Sequence, residues 1–388
     1  MMDFVAQTIR DLPLSGIRRF FDVASEMKDV VSLGVGEPDF ATPWHIREEA
    51  IFSLERRRTM YTSNAGMPAL REEISRYMAA QFSLGYEPGA QILVTVGASE
   101  GIDIALRALL EPGDEVLVVE PCFVSYKPCI IMAGGVPIPI PTSQDNDFRV
   151  TAQDIGARIT PKTKALMLSY PSNPTGATMG WGDLEDIAAF LRDKDIAVIS
   201  DEIYAELTYG GQPHVSIASM PGMAEKTMVL NGFSKAFAMT GWRLGFACGP
   251  REWIAAMTKI HQYIVMSAPT TSQYGGIEAL RHGGAGVAAM RQEYDARRRF
   301  MLKEFEDMAL PCFEAGGAFY LFPSVARYGM TSEEFCTKLL YEQRLAVVPG
   351  SAFGDSGEGH IRCSYAYSID DIKAALSRLR VFLAGLDV

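Results

Sequence analysis

The sequence predicts an α/β protein: a large domain on a mostly parallel seven-stranded sheet between helices, joined to a smaller α+β domain. Seven short apolar runs carry that expectation: Ile92–Val96, Glu115–Val119, Val136–Ile140, Ala165–Ser169, Ile196–Ser200, Thr227–Leu230 and Leu244–Cys248. They are β-branched, nearly continuous and bounded by Gly, Pro or Asp, the pattern of strands buried on both faces of a parallel sheet. Helix-length segments such as Gly101–Leu110 and Leu184–Asp193 separate them, and such alternation builds layered α/β domains. A chain of 388 residues with 48% hydrophobic content is long enough for two unequal domains, each with a core.

The texture changes after residue 283. A charged amphipathic stretch, Ala288–Ala309, leads into an apolar run Ala318–Phe322 and a helical segment Ser332–Gln343. Short apolar pieces at Ala346–Val348 and His360–Ser364 precede a last helical segment, Asp370–Ala384. The first forty or so residues, rich in Pro, Gly and turn formers, are expected to join this smaller unit. The expected division is therefore 41–283 for the large domain, and 1–40 with 284–388 for the small one.

Charge and composition exclude several function classes. The formal charge is 36 − 47 = −11 and the pI is near 5.1, with no basic stripe of the kind a nucleic-acid binder shows. The two arginine triplets, Arg56-Arg57-Arg58 and Arg297-Arg298-Arg299, sit beside acids and read as solvated helix faces. No apolar run approaches a membrane span. Met1-Met2-Asp3-Phe4 carries an acid and no apolar leader, so no signal peptide and a cytoplasmic location are expected. The six cysteines form no C-x-x-C pair and no zinc spacing, so they read as small buried hydrophobes and no metal is expected.

Several segments could carry chemistry. Gly34-Val35-Gly36-Glu37-Pro38 only superficially suggests a dinucleotide fingerprint, since a proline follows at once and no helix opens there. Gly97-Ala98-Ser99-Glu100-Gly101 lies between a strand and a helix, where free N–H groups attract phosphate; it reads equally as an ordinary turn capped by Ser99. Asp201 ends an apolar strand, with Tyr204 three residues on. The carboxyl end of a parallel strand is where ligands of open α/β sheets bind, although an acid there also caps helices. Asn173 sits in the rigid turn Tyr170-Pro171-Ser172-Asn173-Pro174-Thr175-Gly176, where its amide satisfies the turn or faces a ligand. Lys235 is the sharpest signal, in Gly232-Phe233-Ser234-Lys235-Ala236-Phe237-Ala238-Met239-Thr240-Gly241-Trp242-Arg243-Leu244-Gly245. A lysine among Phe233, Phe237, Met239 and Trp242 is costly to bury charged, so its pKa should fall and its amine become nucleophilic.

Taken in order, Asn173-Pro174-x-Gly176, Asp201-Glu202-x-Tyr204, Ser234-Lys235, Arg243 and Arg362 resemble the class I/II aminotransferases, pyridoxal-phosphate (PLP) enzymes of fold type I. The resemblance runs nearly end to end, with the texture of the branch that holds bacterial aspartate and N-acetyl-diaminopimelate aminotransferases. It implies that Lys235 carries the cofactor as a Schiff base and moves the substrate proton, and that Asp201 pairs with the ring nitrogen. It implies further that Asn173 and Tyr204 bond the ring hydroxyl, and that Phe123 stacks on the ring. Ala98, Ser99, Ser234 and Arg243 would hold the phosphate, while Arg362 clamps the substrate α-carboxylate and Gly36 lines the same pocket. Tyr61, in Met60-Tyr61-Thr62-Ser63, matches a tyrosine that reaches the neighbouring subunit's phosphate, which implies a homodimer with shared active sites. The implied activity is ping-pong transfer of an amino group from an L-amino acid to a 2-oxo acid, with glutamate and 2-oxoglutarate as one pair. In the loop Ser15-Gly16-Ile17-Arg18-Arg19, Ile17 favours an apolar or long side chain, whereas Arg18 suits a dicarboxylate. A β-lyase or decarboxylase would share Lys235 and Asp201. A PLP-binding regulator without turnover would have no use for Arg362.

Overall fold

A computed structural model describes residues 4–13 and 27–386. All seven expected strands are present, their ends shifted by a residue or two: β2 (Ile92–Thr95), β3 (Glu115–Glu120), β4 (Val136–Pro141), β5 (Thr163–Ser169), β6 (Ala197–Asp201), β7 (Thr227–Gly232) and β8 (Gly245–Cys248), after a short β1 (Val31–Ser32). They form one seven-stranded sheet in the order β2-β8-β7-β6-β5-β3-β4. Only β8 runs antiparallel to its neighbours. The fold is thus the α/β, fold-type I architecture, with its large mostly parallel sheet.

The strand sequences explain their places. β2, β6, β7 and β8 are buried along their whole length, as a sheet covered on both faces requires. β4 is Val-Pro-Ile-Pro-Ile-Pro and lies at the sheet edge. Its prolines alternate, so all three lack an N–H on the same, unpaired side, and the ladder to β3 stays intact. The interposed helices include Gly97–Leu109 and Trp181–Leu191.

The topology sets one edge apart. β3, β5, β6 and β7 are parallel and end together; Asp201 is the last residue of β6, and the loops after β3, β5 and β7 carry Phe123, Asn173 and Lys235. β2 shares their direction through two antiparallel steps, so the Gly97 turn emerges there too. The reversed β8 brings its amino end, and with it Arg243, to the same edge.

The rest of the chain contributes β9 (Tyr320–Leu321), β10 (Leu345–Ala346), β11 (Val348–Pro349) and β12 (Ile361–Ser364). β11, β12 and β9 form an antiparallel sheet, while β1 pairs in parallel with β10. The charged stretch is the helix Gly284–Asp307. Its arginine triplet departs from the solvated face expected of it: Arg297 and Arg298 are 6% and 4% exposed. Arg297 pairs with Glu293 and Arg298 with Asp295 on the same helix, and each also reaches a distant acid, Asp39 and Glu314, that no local pattern shows. The cysteines are all unpaired, four buried and two half-buried. Among the described residues no group of side chains could hold a metal ion, and no helix is long and apolar enough to cross a membrane.

Where β8 passes the Gly97 turn, a Cβ on Gly245 would come within 2.6 Å of both Ala98 N and Gly97 C. These are backbone atoms that cannot swing aside. Gly245→Ala is expected to cost about 1–3 kcal/mol by overpacking, seen as a lowered midpoint in thermal or denaturant unfolding. An unchanged midpoint would show that the turn yields freely.

Candidate active site

A cavity of about 630 Å³ opens at the carboxyl edge of the sheet. Gly97 adopts φ +75°, a left-handed conformation that suits glycine, and opens the helix Gly97–Leu109. A Cβ there would lie 2.5 Å from Arg243 Nη2, so only the bare glycine lets the guanidinium approach the helix start. Arg243 is itself left-handed (φ 52°) and donates from Nη1 to the Thr240 carbonyl at 2.9 Å. Ala98 and Ser99 in the first helical turn, Ser234 and Arg243 all line the cavity. Unpaired helix N–H groups, a hydroxyl and a guanidinium make an anion cradle. The helix cap is Val96 and Ser99 lies within the first turn, so Ser99 is not the capping residue.

Lys235 projects into the middle of the cavity. Its Nζ donates to the Gly36 carbonyl at 2.6 Å and lies 5.7 Å and 5.5 Å from the ring centres of Tyr204 and Phe319. Burial, and then the nearby Arg362 guanidinium, bring its pKa from the ordinary 10.5 down to about 8; Arg243 adds to this, while Glu37 and Asp201 oppose it. The amine is therefore available in neutral form at mildly alkaline pH.

Asp201, 5% exposed, ends β6. Its Oδ2 accepts from the Tyr126 hydroxyl at 2.7 Å and its Oδ1 from the Ile203 N–H at 3.1 Å. No helix starts there, so the carboxylate caps only a turn. Burial raises its pKa, and these two hydrogen bonds work against that rise.

Arg362, on β12, is held on three sides. Nη1 donates to Asn173 Oδ1 at 2.8 Å and Nη2 to the Gly34 carbonyl at 2.6 Å. The guanidinium carbon lies 4.4 Å from the ring centre of Tyr320 and 4.8 Å from that of Phe353. Its buried Nε has no hydrogen-bond partner. A guanidinium fixed by aromatic contacts, with a donor left over, suits a planar carboxylate.

The remaining candidates fall into place around these. Tyr204 and Tyr320 share a hydroxyl–hydroxyl contact of 2.8 Å. Gly36 lines the cavity, and a Cβ there would collide with the Tyr320 hydroxyl. Phe123 meets Tyr126 edge-on, with ring centres 5.6 Å apart. Tyr61 lies outside the cavity and is 80% exposed, next to Met60, whose carbonyl accepts from Thr270 Oγ1 at 2.7 Å. Ile17 and Arg18 lie outside the described residues. Sequence reasoning missed Tyr126 and Tyr320. The first follows Phe123 by three residues, and the second sits in an expected strand whose cavity-facing side period alone does not give.

The residues present suit pyridoxal phosphate: an anion cradle for a phosphate, a buried carboxylate for a ring nitrogen and a lysine of lowered pKa between them. Fold and site define a PLP-dependent enzyme of fold type I. The chain belongs to the aminotransferases of class I and II, whose family model matches residues 28–379, and it is an aminotransferase acting on amino acids and 2-oxo acids. It is 50% identical over 383 residues to the putative aminotransferase YugH of Bacillus subtilis, covering 99% of each chain. It is 45% identical to the aspartate aminotransferase of Pyrococcus abyssi, covering 95% of each. A solved aromatic aminotransferase of Pyrococcus horikoshii superposes with a TM-score of 0.90 at 43% identity, covering 94% of this chain and 98% of that one.

The lowered lysine pKa has a direct consequence. In cofactor-free protein, reductive trapping of a small aldehyde at Lys235 is expected to rise with pH, with its midpoint at about 8. Mass-spectrometric mapping of the labelled peptide across pH measures it. A midpoint near 10.5, the ordinary lysine value, would mean that burial does not act on this amine.

Proposed function

We propose that the chain transfers an amino group from an L-amino acid to a 2-oxo acid by a ping-pong mechanism, with glutamate and 2-oxoglutarate as one pair. The observation that carries this reading is the convergence of Lys235, Asp201, Arg243 and Arg362 on one cavity. Donor and acceptor, each an α-carboxylate, would use the same clamp in turn. When bound, pyridoxal phosphate supplies an electron sink for the bond broken at the substrate α-carbon.

The chain's own residues do the rest. Ala98, Ser99, Ser234 and Arg243 hold the phosphate, and the Asp201 carboxylate pairs with the ring nitrogen. Asn173 and Tyr204 bond the ring hydroxyl, and Phe123 packs on the ring face. Lys235 anchors the cofactor through its amine and, once released, takes the proton from the substrate α-carbon as a general base. Arg362 clamps the α-carboxylate through two parallel hydrogen bonds, exchanging its contacts with Asn173 and Gly34 for contacts with substrate. Gly36 leaves the room this requires. Ile17 and Arg18 are assigned to the side-chain pocket. The same reading divides the chain into a large domain, 41–283, and a small domain of 1–40 with 284–388, and places the enzyme in the cytoplasm.

An absorbance scan of the purified protein against a panel of amino donors tests the activity: conversion of the bound cofactor by glutamate supports it, and no conversion by any amino acid removes it. Borohydride reduction and peptide mapping should find the cofactor on Lys235. Arg362→Lys keeps the charge and loses the fork, so kcat/KM should fall about a hundredfold, the effect of losing about 3 kcal/mol of charge-assisted hydrogen bonding, with PLP still bound. Unchanged kcat/KM would remove Arg362 from carboxylate recognition.

A homodimer with shared sites is part of the same proposal, supported by the exposure of Met60 and Tyr61, both 80%, and of Tyr263 at 86%. Mixing inactive Lys235→Ala protomers with inactive Tyr61 variants should restore part of the activity, because each heterodimer would hold one intact site. Full activity of a monomer, or no restoration in verified heterodimers, would rule out shared sites.

A further inference from the structure

Tyr126 has no part in the roles assigned above, yet it lines the cavity. It opens the helix Tyr126–Met132, three residues beyond Phe123, and is 1% exposed. Its hydroxyl donates to Asp201 Oδ2 at 2.7 Å, and its ring meets that of Phe123 at 79° with centres 5.6 Å apart. One side chain thus touches both the carboxylate and the aromatic ring assigned to the cofactor. Burial pushes the Asp201 carboxyl towards its neutral form, and a donated hydrogen bond favours the ionised form. A neutral donor suits this place. A lysine or arginine there would compensate the carboxylate's charge and leave less of it for a cationic partner, whereas a phenol orients the oxygen and leaves the charge in place. Burial first, and Asp201 next, hold the phenol's own pKa well above its usual value, so the proton stays on the tyrosine.

We propose that Tyr126 is a positioning residue for the cofactor: its hydroxyl orients and keeps ionised the Asp201 carboxylate, while its ring braces Phe123. The inference rests on the reading that Asp201 pairs with the ring nitrogen of pyridoxal phosphate.

The test compares two cofactors on the full-length protein, stripped and reconstituted: pyridoxal phosphate and its deaza analogue, in which carbon replaces the ring nitrogen. The quantity read is the ratio of their dissociation constants. The unaltered protein should favour pyridoxal phosphate. Tyr126→Phe, which keeps the ring against Phe123, should reduce that preference about tenfold, the scale of one hydrogen bond to a charged group, and should bind the analogue as before. An equal loss of affinity for both cofactors, or no change in the ratio, would make Tyr126 structural and overturn the proposal while leaving Asp201 in its role. No preference in the unaltered protein would instead remove the Asp201 pairing itself. Should Tyr126→Phe fail to fold, a ring-fluorinated tyrosine at position 126 keeps the shape and donates more strongly. It should raise the preference, and an unchanged ratio would overturn the proposal equally.

Discussion

Among the described residues three cations share one cavity, and the cost of keeping them there shapes the site. Lys235, Arg243 and Arg362 line the same space, with Asp201 the one buried carboxylate among its described lining residues. Charge withdrawn from water must be paired, hydrogen-bonded or given up. Lys235 takes the last route: burial and the neighbouring Arg362 bring its pKa down to about 8. An arginine cannot, because its guanidinium stays protonated at any ordinary pH. Arg362 is therefore bonded to Asn173 and Gly34 and flanked by Tyr320 and Phe353, while Arg243 leans on the Thr240 carbonyl at the cavity mouth, where it is exposed. The difference between lysine and arginine chemistry thus separates the one group that can give up its charge from the two that must keep it.

The sheet makes the crowding possible. Parallel strands end together, so the loops after β3, β5, β6 and β7 deliver side chains to one edge. A single reversal, at β8, returns the chain to that edge eleven positions after Asn231-Gly232, in time to present Arg243 opposite the Gly97 turn. Glycines at 97 and 245 let backbone and guanidinium approach where any side chain would collide. The anion cradle is in this sense a property of the topology as much as of any residue.

The sequence made much of this legible because the strong signals are local. A buried strand is a continuous apolar run, and a lysine among aromatic residues announces its environment within a few positions. Lys235, Asp201, Asn173 and Arg243 all lie at strand ends, where the pattern breaks, and the structure gathers them with Arg362 as the ordered motifs imply. What escaped depends on partners far apart in the chain. Tyr126 matters because Asp201 lies 75 positions away, and Tyr320 because it packs on Arg362 and beside Gly36. The Arg297-Arg298-Arg299 triplet looked solvated because its acidic neighbours on the helix hid the more distant Asp39 and Glu314. Periodicity reports which residues are apolar, not which charges find partners.

The pairing of Arg297 with Asp39 links that helix back to the cavity. Asp39 closes the segment Gly34–Phe40, and Arg297 Nη1 reaches both of its carboxylate oxygens, at 2.9 Å and 2.8 Å. Phe40 packs edge-on against Tyr294, one turn earlier on the same helix, with ring centres 5.5 Å apart. At the other end of the segment the Val35 N–H donates to the Tyr367 hydroxyl at 3.0 Å. Beside the Val35 anchor lie the two carbonyls that receive the cations, one residue before it and one after: Gly34 for Arg362 and Gly36 for Lys235. A segment pinned at Val35 and at Asp39 can offer these carbonyls to both cations without collapsing onto them. Those contacts satisfy donors that would otherwise be buried alone, and they are single hydrogen bonds to neutral oxygens. A carboxylate would offer Arg362 a stronger, charge-assisted pair, so under the proposed role the exchange from carbonyl to substrate would run downhill. The half-buried ion pair at Arg297 thereby holds the acceptors in place and leaves the cavity's cations only lightly committed.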